Sequence, residues 1–368
     1  SNLDYNSTYY FGLRAFDGQN YSLLSTTTSY QTPSALNYSP WPMFGANPQR
    51  NNQSNYSGPN ATPTVIWVFS EDSDPNNSDY NPLYTSPIIG PDGTIFSSVI
   101  FPTSKKGILA LNPDGSKKWF RKEEMDSEKV LALNPDGSLF EDEKKIVKDK
   151  NDNIYLVNGN LLSSFDRDGK LRWQRGFEFP DLQNHQNYSG YDFSLLNPVI
   201  SPGGIIYLLA EGKIYFDGGG TMEHLYLFSL SPEDGNQLFS VPFSGGYRSG
   251  PFTVSSSETS YFFYLIYGFF QSNLYLSSVA DGKEIWTIEI VSNYSLEEPS
   301  PLIIDNQENL YFVLGKEFFA LNKNGEELWR VSLFDYLPSD WDNAYLGVAL
   351  NYDGTLYLSG RGAIVALK

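Results

Sequence analysis

Residue types that commonly carry catalysis are scarce in this chain. Its 368 residues include no cysteine and only two histidines, His185 and His224. The chain therefore has no disulfide framework and no thiolate metal site. It also lacks a glycine-rich phosphate loop, a G-x-S-x-G elbow and a histidine pair at metal-ligand spacing. We predict no catalytic residue, and we interpret both histidines as surface or strand-end residues.

Three carboxylate-rich stretches have the composition of cation-binding loops. Residues 149–153 read DKNDN and residues 166–170 read DRDGK, but neither continues to the distal glutamate of an EF-hand. Turn chemistry accounts for both stretches. The acidic run at residues 71–79, EDSDPNNSD, could gather a calcium ion more loosely. The sequence predicts no cofactor, leaves calcium open and does not identify metal ligands.

Aromatic residues beside carboxylates and amides recur in the long segments between predicted strands. Such groups can stack on sugar rings and bind their hydroxyls, or grip an extended peptide. The same rings could instead pack the segments down as small cores. The candidate ligand-binding residues are Tyr191, Asp192, Tyr247, Arg248, Trp341, Asp342 and Tyr345. Further aromatic residues in these segments are Tyr80, Tyr84, Phe177, Phe179, Tyr188, Tyr294, Phe334 and Tyr336.

Charge and composition narrow the class of partner. The formal net charge is −18 and the pI is near 4.5, so the chain would repel nucleic acid and anionic membranes. Only 18% of the residues are charged, whereas tyrosine and phenylalanine number 26 and 25. The longest apolar stretch has the length of a strand and not of a membrane span. We therefore expect an extracytoplasmic protein, secreted or on the cell surface, without membrane insertion.

A recurring sequence motif supplies the strongest structural signal. Five tryptophans lie roughly one repeat apart, and four of them end this motif: Trp67, Trp119, Trp173, Trp286 and Trp329 are the five. It runs from Ser-Pro through an apolar strand, an Asp-Gly turn, two further strands and a second Asp-Gly or Asn-Gly turn to the tryptophan. Repeats of this length and all-strand character predict an all-β fold, a β-propeller. We interpret the tryptophans as structural residues.

The units begin near residues 86, 144, 197, 250, 299 and 347. Phe239 takes the tryptophan position in the third unit, and the sixth unit ends after three strands. We predict that the strand around Trp67 closes the last blade beside residues 364–367, giving six four-stranded blades without an open sheet edge. Residues 131–138 repeat LALNPDGS, which we interpret as an inserted hairpin. A seventh blade stays an alternative.

The amino-terminal stretch is organised differently. Leu3 and Tyr9 precede an alternating apolar run and the turn at Asp17 and Gly18, and this pattern resembles the last strands of a fibronectin type III domain. The family's usual proline and glycine are replaced here, and a plain hairpin packed on the propeller is the alternative. We expect three regions: fibronectin-like strands at 1–31, a linker with a propeller-anchoring segment at 32–63, and the propeller at 64–368.

Residues 41–52, WPMFGANPQRNN, followed by the IWVF strand and the repeated units, resemble the quinoprotein-type (PQQ-like) propeller repeat family. The resemblance implies that Trp41 and Arg50 anchor this segment on the ring. The family contains dehydrogenases and also surface proteins without a cofactor. The large dehydrogenases use eight blades, a vicinal cysteine pair and a calcium site, and the six-bladed sugar dehydrogenases need a histidine base with basic quinone ligands. This chain departs from both patterns.

These observations favour a non-enzymatic, extracytoplasmic propeller module of a surface protein that binds a protein or a glycan through its loop-rich face. One alternative is a quinone- and calcium-dependent sugar or alcohol oxidoreductase. The other is a purely structural spacer.

Overall fold

The computed structural model describes residues 3–70, 82–101, 106–122, 129–143, 146–180, 188–244, 248–267, 272–291, 299–337 and 347–368. Nearly all regular structure in these ranges is β-strand, accompanied by one 3-10 turn at Ala35–Asn37. None of the described residues form a helix long and apolar enough to cross a membrane. The first three strands are β1 (Thr8–Phe11), β2 (Thr28–Gln31) and β3 (Val65–Phe69).

Six antiparallel sheets of four or five strands follow one plan and build a β-propeller. Sheet 1 contains β4 (Leu83–Tyr84), β5 (Ile88–Ile89), β6 (Ile95–Ile100), β7 (Lys106–Leu111) and β8 (Lys117–Lys122). A separate two-stranded sheet follows, made of β9 (Lys129–Leu133) and β10 (Leu139–Glu143). Sheet 2 contains β11 (Ile146–Lys148), β12 (Ile154–Asn158), β13 (Leu161–Phe165) and β14 (Leu171–Gly176).

The remaining sheets continue in chain order. Sheet 3 contains β15 (Tyr188–Leu195), β16 (Val199–Ile200), β17 (Ile206–Phe216), β18 (Thr221–Leu230) and β19 (Gln237–Ser244). Sheet 4 contains β20 (Arg248–Val254), β21 (Ser260–Tyr267), β22 (Ser272–Ala280) and β23 (Lys283–Ile290). Sheet 5 contains β24 (Ile303–Ile304), β25 (Leu310–Leu314), β26 (Glu317–Leu321) and β27 (Glu327–Ser332). Sheet 6 contains β28 (Gly347–Leu350), β29 (Leu356–Ser359), β30 (Ile364–Leu367) and β3.

Sheet 6 joins the two ends of the propeller sequence. Strand β3 pairs with β30 in antiparallel register, with Trp67 opposite Ala366 and Phe69 opposite Ile364. The predicted pairing of the Trp67 strand with residues 364–367 is therefore observed. The strand that precedes sheet 1 in the sequence supplies the fourth strand of sheet 6, so this sheet is complete only when the ring has closed.

Aromatic rings occupy matching positions in all six sheets. In each sheet a tyrosine or phenylalanine on the second strand contacts a tryptophan or phenylalanine on the fourth strand, with ring centroids 5.7 to 6.2 Å apart. These contacts bury large aromatic surface within a single blade. The pairs are Phe96–Trp119, Tyr155–Trp173, Tyr207–Phe239, Tyr261–Trp286, Tyr311–Trp329 and Tyr357–Trp67.

Several of these tryptophans also bridge one sheet to the next. The indole Nε1 of Trp67 donates to the Pro113 carbonyl at 3.0 Å, in the last turn of sheet 1. Trp173 donates in the same way to Pro232 at 3.0 Å, and Trp286 to Lys323 at 2.9 Å. Phe239 has no such donor, and its ring lies against the equivalent turn of sheet 4 at Gly282.

The glycine of each bridging turn has two roles. Gly115 has φ of +84°, in the left-handed region that a side chain disfavours. A Cβ on Gly115 would lie 2.6 Å from the Trp67 ring, so the ring rests directly on the turn backbone. The repeated Asp-Gly or Asn-Gly pair therefore provides the turn geometry and also the space for the preceding sheet's indole.

Residues 39–64, here called the arc, run along the ends of the first strands of successive sheets. Their carbonyl oxygens accept hydrogen bonds in chain order, five of them from the backbone N–H just before the first turn of a sheet and one from the Thr253 hydroxyl of sheet 4. The donors are Ile89 to Trp41 (2.8 Å), Leu133 to Pro42 (3.0 Å), Lys148 to Pro48 (3.0 Å), Ile200 to Gln49 (3.1 Å), Thr253 to Asn51 and Ile304 to Asn52 (2.9 Å). A segment expected to be mainly linker therefore ties the sheets together from one side.

Trp41 and Arg50, the anchors implied by the family resemblance, are both buried within the arc. Arg50 donates from Nε to the Ile146 carbonyl at 2.9 Å, which fixes the arc to sheet 2. Trp41 lies in the same apolar core as Ile89 and Tyr84 of sheet 1. The arc then ends at Thr64, which exchanges two backbone hydrogen bonds with Lys368 beside β30.

The two-stranded sheet β9/β10 corresponds to the repeated LALNPDGS segment. The Leu133 N–H donates a hydrogen bond to an arc carbonyl, as the N–H groups of Ile89 and Ile304 do. Strands β9 and β10 therefore occupy the position of a first and a second strand. Leu131 and Leu133 pack in a small apolar cluster with Ile88 and Ile108 of sheet 1. The segment resembles sheet 1's last hairpin in sequence but takes the place of a first hairpin. The six-blade count stays a prediction.

Strands β1 and β2 form a separate two-stranded sheet. The Asp4 N–H donates to the Tyr9 hydroxyl at 2.8 Å, so this tyrosine bonds to the backbone upstream of its own strand. Many large side chains of this region are exposed, including Tyr10, Leu13 and Leu23. Membership of a fibronectin type III domain stays a prediction.

Substitution of Trp67 tests the bridge between sheets 6 and 1. We expect Trp67→Phe to lower the free energy of unfolding by about 1 kcal/mol, because it removes the indole donor while an aromatic ring remains. Trp67→Ala should cost about 3 kcal/mol, because the ring contacts with Tyr357 and Gly115 are lost as well. Urea denaturation measures both values.

The matched control is Ile66→Ala, on the same strand but with a side chain that is 46% exposed. We expect a change within about 0.5 kcal/mol. An equal loss for Ile66→Ala and Trp67→Ala would contradict a bridging role for the indole.

Candidate functional site

The structure describes only part of the predicted ligand-binding set. Tyr191 and Asp192 lie on β15. The backbone of Arg248 begins β20, but its side chain is outside the described part of the chain. The predicted residues that also lie outside the described ranges are Tyr247, Trp341, Asp342 and Tyr345. The structure therefore brings together Tyr191 and Asp192 alone from this set.

Tyr191 and Asp192 belong to a strand that sequence reasoning interpreted as a loop. Strand β15 pairs with the far half of β17, so that Tyr191 lies opposite Ile214 and Asp192 opposite Lys213. The strands β17 and β18 span eleven and ten residues, about twice the five residues of β12 and β13. Sheet 3 therefore has an extension, formed by β15, residues 210–216 and residues 221–227. The alternation of rings and polar residues over 191–194 was the signal that could have revealed it.

One face of this extension is aromatic. The Tyr191 and Phe193 rings both contact Phe179, with centroids 6.2 and 5.9 Å away. Phe179 also contacts His224 at 5.5 Å and lies against Gly212, where a Cβ would approach its ring to 2.2 Å. Phe179 is buried, whereas Tyr191 remains 45% exposed. The buried ring thus supports an exposed ring from below.

The opposite face is polar. The Tyr215 hydroxyl donates to the Asp192 carboxylate at 2.6 Å, and this hydrogen bond raises the pKa of Tyr215. Lys213 forms an ion pair with Glu223 at 2.6 Å and places its ammonium group 5.7 Å from the Tyr215 ring. Both signs of charge therefore lie on one exposed surface, next to hydroxyl groups. Sequence reasoning did not identify Lys213, Tyr215 or Glu223, because they come from strands distant from Asp192 in the chain.

Several other aromatic residues expected in binding loops are core residues. Tyr84 is fully buried, and Phe177 and Phe179 are 4% exposed. Phe177 packs on Phe228 at 5.1 Å, edge to face. These three residues follow the alternative that the rings pack the connecting segments down as small cores. Phe334 and Tyr336 remain exposed, and Tyr80 and Tyr294 lie outside the described ranges.

The carboxylates of the two calcium-like stretches bond to their own turns. Asp149 Oδ1 accepts the N–H groups of Asn151 and Asn153 at 2.8 and 3.0 Å. Asp166 Oδ1 accepts the N–H groups of Asp168 and Lys170 at 3.0 and 2.9 Å. Within the described residues, no cluster of three or more acidic or imidazole groups could hold a metal ion. The acidic run at 71–79 lies outside them.

Buried tyrosines on the second strands of the sheets have raised pKa values. Burial, together with the neighbouring Asp149 carboxylate, raises the pKa of Tyr155 to about 12. Burial also raises the pKa values of Tyr261 and Tyr357 to about 12. Tyr311 is shifted in the same direction by burial and by Asp305, whose Oδ2 accepts its hydroxyl at 3.0 Å. Asp149 has a lowered pKa, because hydrogen bonds to its carboxylate outweigh the opposing effect of burial.

No protein-family profile matches the chain. No curated protein sequence matches it either.

Solved structures similar to this chain are propellers at low identity. A gluconolactonase from Xanthomonas campestris is 11% identical and has a TM-score of 0.40, with 84% of this chain and 97% of that chain covered. An α-L-arabinanase from Penicillium chrysogenum is 12% identical and has a TM-score of 0.41, covering 83% and 97%. The WD40 domain of a coronin from Toxoplasma gondii is 9% identical with a TM-score of 0.42, covering 83% and 87%. Similarity at this level assigns no activity to the chain.

These comparisons correct one prediction. The sequence analysis predicted that the chain is not an enzyme, on the ground that familiar catalytic motifs are missing. Gluconolactonases and an arabinanase stand among the similar structures, so this prediction was wrong as an exclusion. Propeller scaffolds carry enzymes as well as binding domains, and missing motifs exclude neither class here.

Alkaline titration tests the buried phenols. Tyr155 has a folded pKa of about 12 and an ordinary value of 10.0, so its contribution to stability is complete below pH 10 and is lost as the pH rises towards 12. One pKa unit corresponds to about 1.4 kcal/mol, which gives a loss on the order of 2 kcal/mol for this group. We expect Tyr155→Phe to lose less stability than the unsubstituted protein between pH 8 and pH 11.5, measured by urea denaturation at each pH.

Tyr352→Phe, at a tyrosine that is 56% exposed, is the matched control and should leave this pH dependence unchanged. The same pH dependence for Tyr155→Phe and the unsubstituted protein would refute the assignment.

Proposed function

We propose that this chain is an extracytoplasmic β-propeller module of a surface protein, and that it binds a glycan or a protein through its loop-rich face. The observation that carries the proposal is the extension of sheet 3, where exposed Tyr191 rests on buried Phe179 on one face and the Asp192 carboxylate lies on the other. Recognition sites commonly combine a rigid aromatic anchor with a few polar groups.

The geometry of β15 supports recognition by this surface. In its described sheet, β15 pairs only with β17, so its other edge has no strand neighbour there. Tyr188 and Tyr191 are 38% and 45% exposed along this strand, which leaves ring surface for stacking. The hydrogen bond from Tyr215 fixes Asp192 at the same edge. A sugar ring could stack on the tyrosines of the aromatic face. An extended peptide could pair with the edge of β15 that has no strand neighbour in this sheet, with Tyr191 contacting it on one face and Asp192 on the other.

The cellular setting of the proposal rests on composition and resemblance. The acidic, cysteine-free chain has a low fraction of charged residues and many tyrosines, which supports an extracytoplasmic location. The repeated units and residues 41–52 support membership of the PQQ-like propeller repeat family. The Tyr9 contact with the Asp4 backbone supports a fibronectin type III-like region at 1–31, before a linker at 32–63 and the propeller at 64–368. No cofactor takes part in the proposed binding.

The test combines arrays with a point substitution. The purified chain is applied to glycan and protein arrays, and a bound partner is then measured by biolayer interferometry. We expect Tyr191→Ala to weaken binding at least about tenfold, because an aromatic anchor often contributes more than 1.4 kcal/mol. Asp192→Asn should weaken it less, because the amide oxygen still accepts the Tyr215 hydroxyl.

Tyr352→Ala is the control, since Tyr352 is similarly exposed but lies in the first turn of sheet 6. The proposal fails if no partner binds on either array. It also fails if Tyr191→Ala and Tyr352→Ala have the same effect.

A further inference from the structure

We infer that a cavity lined mainly by the arc is a second ligand site, specific for an uncharged polyhydroxyl compound such as a short oligosaccharide. Its volume is about 530 Å³, within the size range of small-molecule sites. Six of its lining residues carry amide side chains: Asn37, Asn47, Gln49, Asn51, Gln53 and Asn55.

The described lining of the cavity is uncharged, unlike the molecule as a whole. The whole chain has a formal net charge of −18, yet none of the described residues that line the cavity carries a charged side chain. Each amide offers two donors and an acceptor, which matches a sugar hydroxyl that both donates and accepts. The Tyr56 side chain and prolines at the wall supply less polar surface. A neutral, many-hydroxyl ligand therefore fits this lining better than an anion or a cation.

Hydrogen bonds hold the central amide of the cavity in one orientation. Asn51 Oδ1 accepts from Asn47 Nδ2 at 2.6 Å and from the Gln53 N–H at 3.2 Å. Asn51 Nδ2 donates to the Ile200 carbonyl at 3.3 Å. Asn51 is 2% exposed, so these bonds are sheltered from water. The wall of the cavity is thus preorganised by contacts to sheet 3, and a ligand would not have to order it.

The backbone around the cavity is strained. Ala46, Arg50 and Asn52 have φ of +69°, +53° and +53°, in the left-handed region, and Gly45 has φ of +77°. Non-glycine residues persist there only where the surrounding structure over-determines them, and they cluster at ligand sites. The carbonyl contacts of Gln49 and Asn52 to sheets 3 and 5 provide that restraint here. Arg50 and Asn52 alternate along the arc with Gln49, Asn51 and Gln53, which line the cavity.

One buried acceptor in the arc, Gln53 Oε1, accepts no hydrogen bond among the described residues. Buried acceptors of this kind are rare, because leaving one unsatisfied is costly. Gln53 also lines the cavity, so a turn of its side chain towards the cavity would let this oxygen accept a ligand hydroxyl.

This cavity is separate from the surface proposed above. Pro202 and Ser256 frame it from the first turns of sheets 3 and 4. The Pro202 turn precedes β17 at Ile206, whereas Tyr215 and the Asp192 surface lie at the other end of β17. The two sites therefore occupy opposite ends of the same strand, and each can be removed by substitution without altering the other.

The experiment measures binding of a defined panel to the whole chain. Maltotriose, cellotriose, mannotriose and tri-N-acetylglucosamine are compared with trigalacturonic acid by isothermal titration calorimetry and by the shift in Tm. We expect at least one neutral trisaccharide to bind and raise the Tm, and the acidic trisaccharide not to bind. Gln53→Leu should weaken this binding at least tenfold without lowering the Tm of the ligand-free protein, because leucine removes the unpartnered acceptor.

Two further variants keep the result interpretable. Gln49→Ala, which removes an amide while retaining the backbone carbonyl that meets Ile200, should also weaken binding. Gln237→Leu, a matched change at an exposed glutamine of β19, should not. The inference is overturned if no neutral trisaccharide binds, if the acidic one binds as well, or if binding survives Gln53→Leu and Gln49→Ala. Loss of binding in Tyr191→Ala alone would also overturn it, and would leave the proposed function standing.

Discussion

The hydrogen bond from an indole N–H to a turn carbonyl of the next sheet is the interaction on which this propeller depends. It joins sheets 6 and 1, sheets 2 and 3, and sheets 4 and 5 through Trp67, Trp173 and Trp286. Trp329 has no following hairpin turn of this kind to reach, and its indole donates to Pro59 of the arc at 2.9 Å. The tryptophans therefore connect blades to each other and also connect the ring to the arc.

The arc complements this outer set of contacts from the inner strands. Its carbonyls are bonded by successive sheets, so one continuous segment holds together elements that are separated by more than 200 residues. Strand β3 follows directly from the arc and pairs with β30 in sheet 6, so the arc and the strand that closes the ring are one continuous segment. Ordering this one segment costs conformational entropy for each of its residues, and the same segment then restrains several sheets. Opening any one sheet must therefore disturb several contacts.

Both proposed ligand surfaces are built on backbone that neighbouring strands or turns hold in place. The extension of sheet 3 positions Tyr191 and Asp192 on strands held by β17, and the amide cavity is held by the strained backbone of the arc. The first surface exposes aromatic rings and charges, and the second offers uncharged groups, chiefly amides. Their chemistry differs because one is built from a protruding hairpin and the other from a segment pressed against the turns.

The sequence alone determined the repeat, the all-strand character, the place of Phe239 and the pairing of the Trp67 strand with residues 364–367. These features follow from local signals, namely alternating apolar residues, Asp-Gly turns and the spacing of large rings. Only the tertiary structure decided that β15 is a strand, that Tyr84 and Phe179 are buried, that β9 and β10 take the position of a first hairpin, and that the amides of the arc share a cavity. Each of these depends on contacts between residues distant in the chain, and local periodicity contains no information about them.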